Sequence, residues 1–191
     1  MPNTYLTNPL VFIVHTLFSL YILCIMLRFL LQWVRADFYN PVTQFLVKAT
    51  NPLLKPLRRF IPGYGGLDTS AIVLMVILQL ISLTLVGLLR GQSFGLPLIL
   101  IYSLAELVEL ALNVFIFSIF IQVILSWISP GTYNPITSLL HSLTEPLLGP
   151  ARRMIPPISG MDLSPLVVLL ILQVVKMLAI PPIQMLTKLV T

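Results

Sequence analysis

The chain reads Tyr39-Asn40-Pro41 and then Pro52-Leu53-Leu54-Lys55-Pro56-Leu57-Arg58-Arg59-Phe60-Ile61-Pro62. The same pattern returns 94 residues later as Tyr133-Asn134-Pro135 and Pro146-Leu147-Leu148-Gly149-Pro150-Ala151-Arg152-Arg153-Met154-Ile155-Pro156. Without a gap, that offset carries Trp33 onto Trp127, Thr50 onto Thr144, Gly66 onto Gly160, Asp68 onto Asp162, Ser70 onto Ser164 and Leu78-Gln79 onto Leu172-Gln173. Shared hydrophobicity cannot produce matches at Trp, Asn, Pro, Arg and Asp, so one structural unit is used twice. The two units run over residues 1–95 and 96–191.

Outside these segments the chain is apolar. Of 191 residues 58% are hydrophobic and 9% charged, and the mean hydropathy is +1.01. A soluble domain carries roughly 25% charged residues, so these charges cannot cover a water-facing surface. Four segments reach the about 20 residues that a membrane helix needs. They run from Leu10 to about Val34, from about Ser70 to Leu89, from near Leu98 to near Ile128, and from near Ser164 to about Ile180. Pro181-Pro182 is expected to break the last, leaving Ile183 onward along the surface. No basic residue precedes the first apolar run and no Ala-x-Ala site follows it, so that run is expected to remain as a span rather than a cleaved signal. Trp33 and Trp127 fall at span ends, the depth that indoles favour.

These readings predict an all-α membrane protein of four transmembrane helices, arranged as two tandem repeats of span, amphipathic connector and span. Each unit holds an even number of spans, so both enter the membrane in the same direction and the repeat is parallel. Arg35, Lys48, Lys55, Arg58, Arg59, Arg152 and Arg153 lie in the connectors, against Arg90 and Lys188 on the other side. This bias predicts cytoplasmic connectors and periplasmic termini.

Asn40 and Asn134 are placed to cap connector helices, with Pro41 and Pro135 at the first helical position, where no donor is lost. Val42, Phe45, Leu46 and Ala49 form one apolar face of the first connector, and Ile136, Leu139, Leu140 and Leu143 that of the second. Thr43, Gln44 and Lys48 take the polar face. Pro52, Pro56 and Pro62, like Pro146, Pro150 and Pro156, predict that the helix stops near Thr50 and that only a short further turn follows. Arg58, Arg59, Arg152 and Arg153, with Lys48 and Lys55, are expected to meet anionic lipid headgroups or a protein partner, or else to act as topology determinants alone. Asp68 and Asp162 cap the following span, pair with the arginines of their own copy, or do both.

Inside the spans the ionisable groups are candidates for function. Arg28 lies close to the connector side and is expected to snorkel toward it. Glu106, Glu109 and Asn113 share one face of the third span. Glu109 precedes Trp127 by 18 residues, about 27 Å of helix, and lies near the opposite interface, out of reach of Arg28. Lys176 follows Asp162 by 14 residues, about 21 Å along the helix, which predicts a pair of Glu109 with Lys176 or with Arg90. Gln79 and Gln173 are expected to join spans by hydrogen bonds. Cys24 is the only cysteine and reads as a packing residue. There is no nucleophile elbow, metal-ligand spacing or phosphate-cradling loop. No enzymatic activity, metal, cofactor or nucleic-acid partner is expected; the partners expected are the bilayer, other membrane proteins or further copies of the chain.

The twice-repeated signature of Trp, Tyr-Asn-Pro, Pro-Leu-Leu-x-Pro-x-Arg-Arg-x-Ile-Pro and Gly-x-Asp-x-Ser resembles the YggT family, which includes the YlmG proteins of Gram-positive bacteria, cyanobacteria and chloroplasts. The resemblance implies a protein integral to the bacterial cytoplasmic membrane, in the duplicated form, from a family with no established enzymatic activity. It also implies links to osmotic and ion homeostasis, to cell division and nucleoid organisation, and in plastids to cytochrome assembly. The two similar membrane-surface connectors, which can dock lipid or partner proteins, point to a scaffold or assembly factor; the alternative is an oligomeric channel or transporter component. The second copy has Gly149 and Ala151 where the first has Lys55 and Leu57, so the first connector is expected to carry more of any charge-dependent lipid binding.

Overall fold

The computed structural model describes residues 4–128, 134–155 and 162–189. Among them are six α-helices: α1 (Thr4–Trp33), α2 (Pro41–Leu57), α3 (Thr69–Leu89), α4 (Leu96–Ile128), α5 (Pro135–Met154) and α6 (Ser164–Met185), followed by a 3-10 turn at Leu186–Leu189. Helices α1, α3, α4 and α6 are long and apolar enough to cross a membrane. Each repeat is thus a span, a connector helix and a span, as expected. Tyr133 and Pro156 lie outside the described residues.

The spans form two pairs, α1 with α3 and α4 with α6, and α3 lies against α4. Ile22, Ile25, Met26 and Leu30 of α1 meet Leu74 and Met75 of α3, and the same cluster takes in Leu46 and Leu54 of α2, Leu107 and Val114 of α4, and Leu139 and Leu143 of α5. A smaller cluster joins Ile119, Leu148, Val168 and Leu172 in the second repeat. Ser82, Ser103 and Ser118 are buried among the spans. Small side chains let backbones approach where hydrophobic burial gives no advantage over lipid.

Both connectors start as the sequence predicts. The Asn40 side chain accepts from Val42 N, and Asn134 accepts from Ile136 N and Thr137 N, each with proline at the next position. The predicted stop near Thr50 is wrong. Helix α2 continues through Pro52 and Pro56 to Leu57, and α5 through Pro146 and Pro150 to Met154. The prolines of each pair stand four residues apart and all four are exposed. The carbonyls they free therefore lie on a wetted side, where other donors can reach them, and the helix keeps its buried bonds. The expected break at Pro181-Pro182 is also corrected: α6 runs through the pair to Met185, with both prolines exposed.

The chain leaves α1 by a reversal in which Ala36 N donates to Leu31 O (2.9 Å) and Arg35 N to Gln32 O (3.1 Å). Arg35 takes φ 55° there, the left-handed position that glycine fills most easily. After α2 the backbone turns back through Gly65 and Gly66, with φ 62° and 83°, between Tyr64 and Leu67, which exchange both backbone hydrogen bonds. Two successive positive φ values suit a tight reversal that only glycines make without strain. That reversal brings Leu67 and Asp68 against α1 and α2.

Candidate functional site

The connectors are locked onto the spans by polar contacts at matched positions. Arg28, near the end of α1, is buried; its Nη1 donates to Thr50 Oγ1 (2.6 Å) and Asn51 Oδ1 (3.0 Å) of α2. It does not snorkel to solvent. Acceptors supplied by the connector keep the charge solvated inside the protein. In the second repeat Gln122 stands at the position of Arg28 and its Oε1 accepts from Thr144, the counterpart of Thr50. Thr50 donates to the carbonyl of Leu46 one turn back (2.7 Å), and the single Thr144 hydroxyl proton is shared between Gln122 and the carbonyl of Leu140 (2.9 Å).

The inward face of α2 is therefore Thr43, Leu46, Thr50 and Leu54. Of the apolar face read from the sequence, Leu46 turns to the spans, while Phe45, 64% exposed, and Val42 face outward, as does Leu53. In α5 the buried residues are Leu139, Leu143, Thr144 and Leu148. The two connectors touch: Asn40 Nδ2 donates to Pro135 O (2.7 Å), across the repeat boundary.

The four repeated arginines divide into two kinds. Arg58 pairs with Asp68, which is 4% exposed. Arg152 Nε donates to Asp162 Oδ2 and its Nη1 to Glu145 Oε2, both at 2.9 Å, with His141 Nδ1 3.8 Å from the same glutamate oxygen. Arg59 and Arg153 are exposed and make no ion pair among the described residues, as do Lys48 and Lys55. Of the two alternatives for Asp68 and Asp162, the pair with the arginine is made in both copies. Asp68 stands at the N-cap of α3 without a side-chain cap bond, its Oδ1 accepting from Ser70 Oγ (2.8 Å). Asp162 Oδ1 also accepts from Ser164 N (2.9 Å).

Burial works against the charged form of Asp68, but hydrogen bonds from Arg58 and Ser70 and the charge of Arg58 outweigh it, and the carboxyl is held below its ordinary range. Because the folded value is the lower one, this contribution is full above the ordinary carboxylate pKa and is lost as pH falls through the folded value. Acidification below about pH 4 is expected to loosen the segment between α2 and α3 in the wild type. Asp68→Asn is expected to remove that acid step and to cost about 2 kcal/mol at neutral pH. Chaotrope unfolding of the detergent-purified chain from pH 3 to pH 7 checks both; parallel pH curves for wild type and variant would refute the assignment.

Matched clefts open beneath the two connectors, each of about 550 Å³. Arg28, Gln32, Arg58 and Asp68 line the first, and Gln122, Ser126, Arg152 and Asp162 stand at the same four positions in the second. Trp33 and Trp127 close the ends of α1 and α4, Trp33 edge-on to Phe115 (6.4 Å).

Toward the other membrane face Lys176 Nζ pairs with Glu109 Oε1 (2.8 Å) and donates to Asn113 Oδ1 (2.9 Å), joining α4 and α6. Gln79 donates to Glu106 and joins α3 to α4, whereas Gln173 is exposed and makes no such bridge among the described residues. His15, Ser19, Gln79, Glu106, Glu109 and Asn113 line a cavity of about 260 Å³ between α1, α3 and α4. Sequence reasoning assigned no role to Gln122, Thr50 and Thr144. The signal is present in the chain: a polar residue in each first span, at matched positions, opposite a threonine kept in both connectors.

The family model described as CCB3/YggT matches residues 7–89 and again 101–183. The chain is 46% identical to an uncharacterized protein of Pseudomonas aeruginosa, over 92% of this chain and 90% of that one. It is 41% identical to an uncharacterized protein of Vibrio alginolyticus, over 87% and 90%. It is 38% identical to the uncharacterized protein YggT of Escherichia coli, over 89% and 88%. No solved structure matches.

Proposed function

Because this chain belongs to the CCB3/YggT family, we propose that it is a non-enzymatic protein of the bacterial cytoplasmic membrane, a scaffold or assembly factor acting through its basic connectors at the inner leaflet. The observation that carries this reading is the pair of connector helices, each docked on its own span and joined to the other through Asn40 and Pro135. Lys48, Lys55, Arg59 and Arg153, with Phe45, Leu53 and Phe60, are left on the outside. A basic and apolar surface held against spans suits anionic headgroups and the membrane-proximal parts of other proteins. The Lys and Arg bias of the connectors supports their cytoplasmic placement, with periplasmic termini.

Photocrosslinkers at Lys48 and Lys55 in native membranes test the reading. Adducts to a defined set of membrane proteins are expected, and Arg59→Glu with Arg153→Glu should abolish them. Adducts unchanged by the charge reversals, or none at all, would overturn it. An oligomeric channel or transporter component serving ion or osmotic homeostasis is the second reading, favoured by the polar cavity around Glu106 and Glu109. Ion flux through purified protein in liposomes, lost in Glu106→Gln, would support that one instead.

A further inference from the structure

The two clefts share a scaffold but not a charge. The first holds Arg28, Arg35 and Arg58 against one carboxylate, Asp68. At the matched positions the second repeat has Gln122 for Arg28 and Ser129 for Arg35. Its remaining cation, Arg152, is held by both Asp162 and Glu145, and Glu145 itself replaces Asn51. Otherwise Trp127, Ile119, Phe120, Leu148, Leu166 and Leu169 make the second cleft apolar. Duplication started the two from one design, so the first has kept or gained two cations that its twin manages without.

Two local features mark the first cleft as built for something absent from the second. Arg35 sits at φ 55° in the reversal after α1, where glycine would be unstrained. Arg35 is exposed and lines the cleft. Thr43, 7% exposed and lining the cleft, has a hydroxyl without a hydrogen-bond partner among the described residues. Its counterpart Thr137 uses its hydroxyl in the capping box with Asn134.

We propose that the first cleft binds a phosphate-bearing anion through Arg28 and Arg35, and that the second does not. Guanidinium forks match phosphate oxygens. Arg28 lies five residues before the end of α1, about 7 Å in, and Leu31, Phe38, Val47 and Leu67 line the same cleft. An anion carrying an apolar tail fits that mixture, so an anionic lipid headgroup and a free phosphate are the two sources of the same chemistry. The proposal rests on the reading of the connectors as a headgroup-level surface.

Native mass spectrometry of the full chain in neutral detergent, titrated with phosphatidylglycerol, phosphatidylcholine or inorganic phosphate, tests it. Wild type is expected to hold one phosphatidylglycerol at least tenfold more tightly than phosphatidylcholine. Arg35→Gly should lower that preference at least tenfold while leaving the melting temperature unchanged or raised, so that lost binding cannot be lost folding. Arg152→Gln should leave the preference intact. Displacement of the lipid by inorganic phosphate would make the free anion the ligand, and retention of the lipid would make it the headgroup. No preference in wild type, or equal losses in Arg35→Gly and Arg152→Gln, would overturn the site. Either result stands apart from the crosslinking test, which reads the outer face of the connectors and does not involve Arg28 or Arg35.

Discussion

Arg28→Ala is expected to detach the first connector from its span and to lower stability by about 3 kcal/mol. The side chain is buried, with the residue 7% exposed, and its guanidinium serves Thr50 and Asn51 together. Truncation leaves both acceptors unsatisfied and opens a void beside Leu31 and Val47. Hydrogen bonds to a charged group are worth about 1.5–3 kcal/mol each when buried, and loss of packing adds to that. Arg28→Gln offers a built-in control. It copies the Gln122–Thr144 arrangement of the second repeat and is expected to recover about half of the loss. Equilibrium unfolding in mixed micelles measures the difference, and a cysteine pair between α1 and α2 reports whether the connector stays docked. An Arg28→Ala protein with wild-type stability and an intact crosslink would remove Arg28 from its role as a clamp.

The second large effect belongs to Glu109 and Lys176. Their contact joins α4 to α6 within the apolar part of the second repeat. Glu109→Leu leaves the Lys176 ammonium with Asn113 alone. A lone lysine within a span costs about 2.5–3.5 kcal/mol near the bilayer centre, and less toward an interface, so about 2 kcal/mol is expected here. Lys176→Met should cost a similar amount. The double variant should be more stable than the sum predicts by about 1–2 kcal/mol, because each single change strands the other charge. Additive losses in a double-mutant cycle of unfolding would mean that the two groups are solvated separately.

That Glu109 has Lys176 or Arg90 within reach is legible in the chain alone, from helix rise and distance to Trp127 and Asp162; the choice of Lys176 is made by the structure. Other contacts are not legible in the chain. Proline propensity predicts helix breaks at Pro52, Pro56, Pro146, Pro150 and Pro181-Pro182, and each helix continues. Propensity counts the lost donor but not where the freed carbonyl points, and at these positions it points away from the packed side. Hydropathy puts Val42, Phe45 and Leu46 on one face of α2 and Thr43 on the other, whereas the structure buries Thr43 together with Leu46 and leaves Phe45 and Val42 exposed. Next to lipid, an apolar side chain gains nothing by facing protein, whereas small hydroxyl residues allow close approach and supply acceptors. Arg28 follows the same logic: reach to a headgroup can be counted along the chain, but the acceptors on α2 cannot.

Local periodicity and identity between the copies were enough to set the repeat, its 94-residue offset, the four spans, the shared direction of the two copies and the caps at Asn40 and Asn134. Packing settled the rest: which arginine of each pair is tied to an aspartate, that α3 of one repeat lies on α4 of the other, and that matched clefts carry different charge. Those outcomes depend on which side chains meet across elements distant along the chain, and neither hydropathy nor spacing encodes that meeting.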